Sequence, residues 1–326
     1  MEMPGFTICP RYTNHLLVCI ISIFCSQTVL EKTVSGNEPE ITVDTSGIAD
    51  HVQVLADDAF EGREGGHRGG RAASSYIEQE IRPLGLIPAG TNKSYFQSFP
   101  TRFGTLRNVL VMIPGSDPVL QSEVIVVGAH YDHVGYGNKR NSFGPFGYVH
   151  NGADDNASGV AGLIKIVETL ARLPDPCRRT ILFAFWDGEE QGLLGSKYFI
   201  KNRPDSVQGK KIIFSINLDM IGRLRHRQLS VFGGRSAVGL ETIVTHANNR
   251  HENKSLELIF NWEITPDSDH YPFLKAEVPT LMFHTGLHSD YHRPSDDVHL
   301  VNFKGIESVL EVVFQTLLQV ANNAGD

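Results

Sequence analysis

Carboxylates and imidazoles gather at matching places along the chain, each group directly after an apolar run. EVIVVGAH leads into His130-Tyr131-Asp132, TILFAFW into Asp187-Gly188-Glu189-Glu190, KIIFSIN into Leu218-Asp219, and VPTLMFH into a loop containing HSDYHRPSDD. NGADDNASG adds Asp154 and Asp155 at the opening of a helical pattern. Each group has an ordinary reading. His130 could end a strand, Asp154 and Asp155 could cap the following helix, and Glu189-Glu190 could sit in a solvated first helical turn. Asp219 is harder to dismiss, because a carboxylate beside buried strand residues needs a partner. Carboxylates crowded together repel one another and resist burial, whereas divalent cations remove the conflict. A donor set of His and carboxylate without thiolate favours zinc, tolerates manganese or cobalt, disfavours magnesium and excludes a cysteine-rich structural zinc site.

The elements that position these groups alternate in type. After Arg107 the strand patterns NVLVMI, EVIVVGAH, TILFAFW, KIIFSINLDM, QLSVFGG and VPTLMFH are interleaved with helical patterns. These are SGVAGLIKIVETLARL, LLGSKYFIKN, one near VGLETIVTHANN and a closing helix from Phe303 to about Ala321. Near-continuous apolar strands are buried on both faces, so the expected fold is α/β, a mostly parallel, mixed central sheet sandwiched between helices. In such sheets ligands bind beyond the carboxyl ends of the strands, where the acids and imidazoles stand. Two amphipathic segments precede the sheet, IADHVQVLADDAF and RAASSYIEQEIRPLG. The EGREGGHRGG between them is expected to be an exposed turn, since it lacks the Gly-Lys-Ser/Thr ending of a phosphate loop.

The 326 residues, 41% hydrophobic and 20% charged, suit a globular chain able to bury a full core. A net charge of -8 and the absence of a Lys/Arg run argue against nucleic acid as a partner. Arg11 followed by LLVCIISIF (Leu16 to Phe24) has the length of a secretory signal and is too short for a stable membrane span, so residues 1–30 are expected to direct export to the periplasm, envelope or medium. Residues 31–46 are read as a linker and 47–326 as one domain, with no internal repeat. Three of the four cysteines, Cys9, Cys19 and Cys25, lie in or beside the leader. That leaves Cys177 alone and no disulfide.

The segments GAHYDHVG, NGADDNASG, WDGEEQGLLGS, INLDMIGR, SDHYPF and GLHSDYHRPSDD fall in the order found in the M28 zinc aminopeptidases, and the resemblance runs from about Ile48 to the end. It implies the zinc aminopeptidase fold, in the bacterial form without an inserted protease-associated domain, and two zinc ions. His130 and Asp219 would hold one ion, Glu190 and His292 the other, and Asp155 both. It further implies Glu189 as general base for a metal-activated water, Asp132 as the partner that orients His130 by accepting its other ring proton, and Tyr291 as a donor to the developing oxyanion. The substrate would be a peptide with a free N-terminus. Related scaffolds carry glutaminyl cyclase or carboxypeptidase activity, or serve as receptor-like binding proteins. His133, His270 and His288 remain rival imidazoles. His288 and His292 are spaced for one helical face, but Gly286 and Pro294 favour a loop. The insert from Gly135 to His150 is expected either to border the cleft, its aromatics shaping the pocket, or to be a surface loop. Composition says nothing of oligomeric state.

Overall fold

The computed structural model describes residues 41–250, 255–262 and 265–323. The expected leader and most of the expected linker lie outside them. The last linker residues are fastened to the domain: Asp44 N donates to Thr169 Oγ1 at 3.1 Å, and Gln315 Nε2 donates to Ile41 O at 2.8 Å. From Ile41 onward the chain forms one compact unit. Among the described residues no helix is long and apolar enough to cross a membrane.

Among the described residues, nine strands make one sheet: β1 (Ile87–Pro88), β2 (Phe96–Thr101), β3 (Gly104–Ile113), β4 (Glu123–His130), β5 (Thr180–Trp186), β6 (Lys211–Leu218), β7 (Gln228–Phe232), β8 (Glu257–Asn261) and β9 (Thr280–His284). Their order is β1-β3-β5-β4-β6-β9-β7-β8, with β2 also paired to β3. The central four, β5-β4-β6-β9, are parallel as their near-continuous apolar runs predict. At the flanks β3 runs antiparallel to β5 and β7 antiparallel to β9, while β8 lies parallel to β7. Strands β1, β2 and β8 gave no expected element. β1 is only two residues long, β2 carries Pro100, and β8 is a half-exposed edge strand with weak alternation.

Seven α-helices of the described residues cover the sheet: α1 (Ile48–Leu55), α2 (Arg68–Ile81), α3 (Gly159–Ala171), α4 (Leu194–Lys201), α5 (Leu240–Asn249), α6 (His270–Lys275) and α7 (Phe303–Asn322). Side chains of β5 alternate between the two layers. Ile181, Phe183 and Phe185 join the core shared with α1, α2, α3 and α7, and Leu182, Ala184 and Trp186 face the opposite core. There Trp186 packs on Phe199 of α4 and Phe273 of α6 at centroid distances of 5.3 and 6.1 Å. Burying each such aromatic contributes about 1.5–3 kcal/mol.

Register turns these layers into a site. His130 lies opposite Trp186, Gly128 opposite Asn217, and Leu218 opposite Phe283. Four parallel strands therefore end level with one another, and the residues after them meet at one edge.

The glycine-rich segment differs from expectation. A 3-10 helix spans Asp58–Arg63, α2 begins at Arg68, and Gly62 and Arg63 are buried. At Gly62 φ is +63° and a Cβ would lie 2.5 Å from Gly135 O, so the close approach of two backbones requires glycine.

Candidate active site

Asp155 stands at the centre of the acidic edge and offers its two oxygens to different neighbours. Oδ1 lies 3.5 Å from His130 Nε2, which lies 3.5 Å from Asp219 Oδ1. Oδ2 lies 3.1 Å from His292 Nε2, itself 3.1 Å from Glu190 Oε1. All five expected donors thus come together, in two groups sharing one carboxylate. Glu189 and Tyr291 line the adjoining cavity of about 250 Å³, together with Met220, Phe232, Met282 and Leu287. The Tyr291 ring stacks on His292 at 3.9 Å.

These groups fit a divalent cation. Four-coordinate zinc ligands at ~2.0–2.2 Å have donor–donor separations of roughly 3.3–3.6 Å, close to those observed. Asp155 Oδ2 is buried without a hydrogen-bond partner. Burial opposes charge on His292, yet Glu190 and Asp155 lift its pKa to about 11. Burial likewise works against the ionised acids, but His130 holds Asp219 down at about 2, and His292 with His133 holds Glu190 well below the usual carboxylate range. The carboxylates here strongly bind positive charge, a proton on imidazole if nothing else. Glu189 behaves oppositely: burial pushes it well above its ordinary value, Glu190, Asp269 and Asp219 push the same way, and His130 only partly opposes them.

The polar neighbours fix these positions. Asp132 is placed differently from expectation: its carboxylate accepts the amides of Glu189 (3.0 Å) and Glu190 (3.3 Å), and it is its backbone carbonyl that faces His130 Nδ1, at 3.2 Å. The Asp132 Oδ1 to His130 Nδ1 distance is 3.9 Å. Two carboxylates thus have their backbone set by a third. Asp296 Oδ2 accepts the amides of both Asp154 and Asp155 at 3.0 Å, and Arg223 Nη2 holds Asp296 Oδ1 at 3.0 Å. Asp154 is occupied elsewhere, its Oδ1 accepting from Gly222 N at 2.6 Å and Ser158 Oγ at 3.0 Å. Ser268 Oγ donates to Asp219 Oδ2 at 2.6 Å and accepts from Asn217 Nδ2 at 2.7 Å. Asn156 Nδ2 donates to Leu218 O at 2.9 Å, joining the Asp155 segment to the end of β6.

Arg63, expected in an exposed turn, is fully buried. Its guanidinium donates to the carbonyls of Leu55, Tyr131, Asn151, Gly152 and Asp155 at 2.5–3.4 Å. Burial lowers its pKa to about 10, with Asp155, Asp296, Asp132 and Glu190 pulling the other way. One cation therefore ties the first helix, the end of β4 and the Asp155 segment together, and offsets part of the acid charge. Arg63→Met is expected to destabilise the fold by about 3–5 kcal/mol, because five buried carbonyls lose their donor and the acids their counter-charge. Urea unfolding checks this, and a loss under 1 kcal/mol would show that the carbonyls find other donors.

The rival imidazoles separate. His133 Nδ1 lies 3.0 Å from Glu190 Oε1 and joins the second group. His288 Nε2 lies 3.2 Å from Asp154 Oδ2. His270 is buried with its nearest carboxylate, on Asp267, 3.9 Å away. Residues 285–297 contain no helix, as Gly286 and Pro294 suggest. The Gly135–His150 insert borders the site by holding backbone: Phe143 N and Ser142 Oγ donate to His292 O at 3.1 and 3.0 Å. Phe143 packs 6.2 Å from Tyr291, but the cavity lining comes from other segments, so the insert's aromatics do not form the pocket. Arg63, Ser268 and Asp296 were missed as positioning residues. Ser268 and Asp296 stand in the motif segments SDHYPF and HRPSDD, whereas nothing local marks Arg63.

Residues 108–317 match the model of peptidase family M28, and the chain belongs to that family. Leucine aminopeptidase 1 of Trichophyton rubrum is 30% identical over 162 residues, 48% of this chain and 40% of that protein. Leupeptin-inactivating enzyme 1 of Streptomyces exfoliatus is 29% identical over 160 residues, 49% of this chain and 31% of that protein. The matched segments thus span less than half of these relatives' length. Among solved structures, a zinc aminopeptidase from Bacillus subtilis superposes with a TM-score of 0.68 at 15% identity, covering 87% of this chain and 97% of that one. The glutaminyl cyclase of Porphyromonas gingivalis gives 0.69 at 21%, covering 85% and 99%. At such identities the likeness is one of fold.

Proposed function

We propose that the chain is a metallo-aminopeptidase that holds two zinc ions and hydrolyses N-terminal residues, apolar ones in preference, from peptides. The observation that carries this reading is the division of Asp155, with Oδ1 facing His130 and Asp219 and Oδ2 facing Glu190 and His292. When bound, two zinc ions supply Lewis acidity, polarising a carbonyl and making water acidic near neutral pH. Asp155, Glu190 and Asp219 offset three of their four charges, so a neutral scissile carbonyl enters without a large electrostatic penalty. Glu189, outside both donor groups and raised in pKa, takes a proton from the attacking water and delivers it to the leaving amine. Tyr291 at the cavity wall, kept protonated by burial, donates to the oxygen that gains charge. Met220, Phe232, Met282 and Leu287 give the first side chain an apolar seat, and Asp267 and Glu189 suit a substrate ammonium. The leader-like first thirty residues support export.

Elemental analysis together with an aminoacyl-anilide panel tests the reading. Two zinc ions per chain, release favouring leucyl, methionyl and phenylalanyl anilides over aspartyl or lysyl ones, and loss of release on chelation are expected. One zinc ion with cyclisation of N-terminal glutamine would instead indicate a glutaminyl cyclase. Release from C-terminal residues would indicate a carboxypeptidase, and no metal with no turnover a binding protein.

A further inference from the structure

We propose that His133 is a fourth protein ligand of the cation held by Asp155, Glu190 and His292, so that this position is closed by protein while the His130 position is open. The proposal rests on the two-zinc reading and deepens it. His133 Nδ1 lies 3.0 Å from Glu190 Oε1 and 3.7 Å from Asp155 Oδ2. His292 Nε2 approaches the same two oxygens, each at 3.1 Å. All four donor atoms lie within 4.8 Å of one another. The four separations bracket the roughly 3.3–3.6 Å edge of a tetrahedron of nitrogen and oxygen ligands around zinc. Two imidazole nitrogens that converge on one pair of carboxylate oxygens compete for them as hydrogen-bond donors, but act together as ligands of a cation placed among all four.

Independent support comes from the unpartnered Asp155 Oδ2, buried and aimed into this group. The His133 side chain has no exposed surface, and its backbone is pinned by donation from its amide to Arg63 O at 3.3 Å. The two rings stand edge to face, with centroids 5.5 Å apart.

Ligand number then assigns different tasks. Structural zinc sites close with four protein ligands, whereas catalytic ones keep three and leave a position for water or substrate. The group His130, Asp155, Asp219 has three. The imidazoles of the cavity agree: His130 lines it together with Asp155, Glu189, Glu190 and Asp219, whereas neither His133 nor His292 is among its walls. Substrate therefore meets the open position, and the closed one fixes Asp155 and Glu190 and contributes its charge. A hydrogen bond from His133 to Glu190 without ligation is the competing arrangement.

Zinc K-edge X-ray absorption of the fully loaded chain separates the two, because it counts imidazole ligands. Three imidazoles per two zincs are expected in the wild type and two in His133→Gln. In the same variant, cobalt titration is expected to show one of the two equivalents weakened about 100-fold or more and the other unchanged, since losing a ligand exceeds the 10–100-fold cost of losing an outer hydrogen bond. Two imidazoles per two zincs in the wild type would overturn the proposal, and needs no variant to fold. A chain that binds fewer than two zincs would instead overturn the two-zinc reading on which it rests.

Discussion

Glu189→Gln is expected to lower kcat on a leucyl anilide by about two to four orders of magnitude while leaving the zinc content at the wild-type level. The substitution keeps the size of the side chain and removes its ability to accept a proton. Glu189 belongs to neither donor group, so metal binding does not depend on its charge. Its backbone is set by the Asp132 carboxylate, an interaction that glutamine retains through the main chain. Burial raises its proton affinity above that of a free glutamate, which suits a group that must take up a proton and then release it. Turnover within threefold of wild type would exclude Glu189 as the base. Loss of zinc alongside turnover would make it a ligand instead.

Asp155→Ala is expected to empty the centre. Asp155 alone contributes to both donor groups, so its removal leaves His130 with Asp219 on one side and Glu190 with the imidazoles on the other. After dialysis against metal-free buffer, zinc should fall from two per chain to below one, with activity at background. Circular dichroism should still show the native fold, because Asp296 reaches the backbone amides of residues 154 and 155 and not the lost side chain. Full zinc occupancy in a folded variant would contradict the sharing of Asp155. The neighbouring Asp154 acts through Gly222 and Ser158 and faces neither group.

The contrast between these two aspartates shows what the residues made legible. Strands β4, β5, β6 and β9 could be read because each is a near-continuous apolar run, and their parallel register puts His130, Glu190 and Asp219 at one edge. Asp154 and Asp155 look alike locally, since either could cap the following helix. Only the family resemblance, aligned on Ser158-Gly159, favoured Asp155, and the tertiary contacts that occupy Asp154 come from residues 222 and 288, far along the chain. The role expected for the Asp132 side chain toward His130 was displaced by amides of the β5–α4 segment, a contact no local pattern encodes. Arg63 was misread for the same reason: an arginine among glycines has the signature of a solvated turn, and its five acceptors are contributed by three separate segments. The flanking strands β1, β2 and β8 were invisible because short edge strands carry too few buried positions to show a period.

The tethers on Asp155 also set a temporal order. The acceptor of its amide, Asp296, follows it by 141 residues, and the donor to its carbonyl, Arg63, precedes it by 92. His292, which completes the second donor group, arrives only four residues before Asp296. A ribosome therefore releases every described strand of the sheet before the chain has the means to bring these donor groups together.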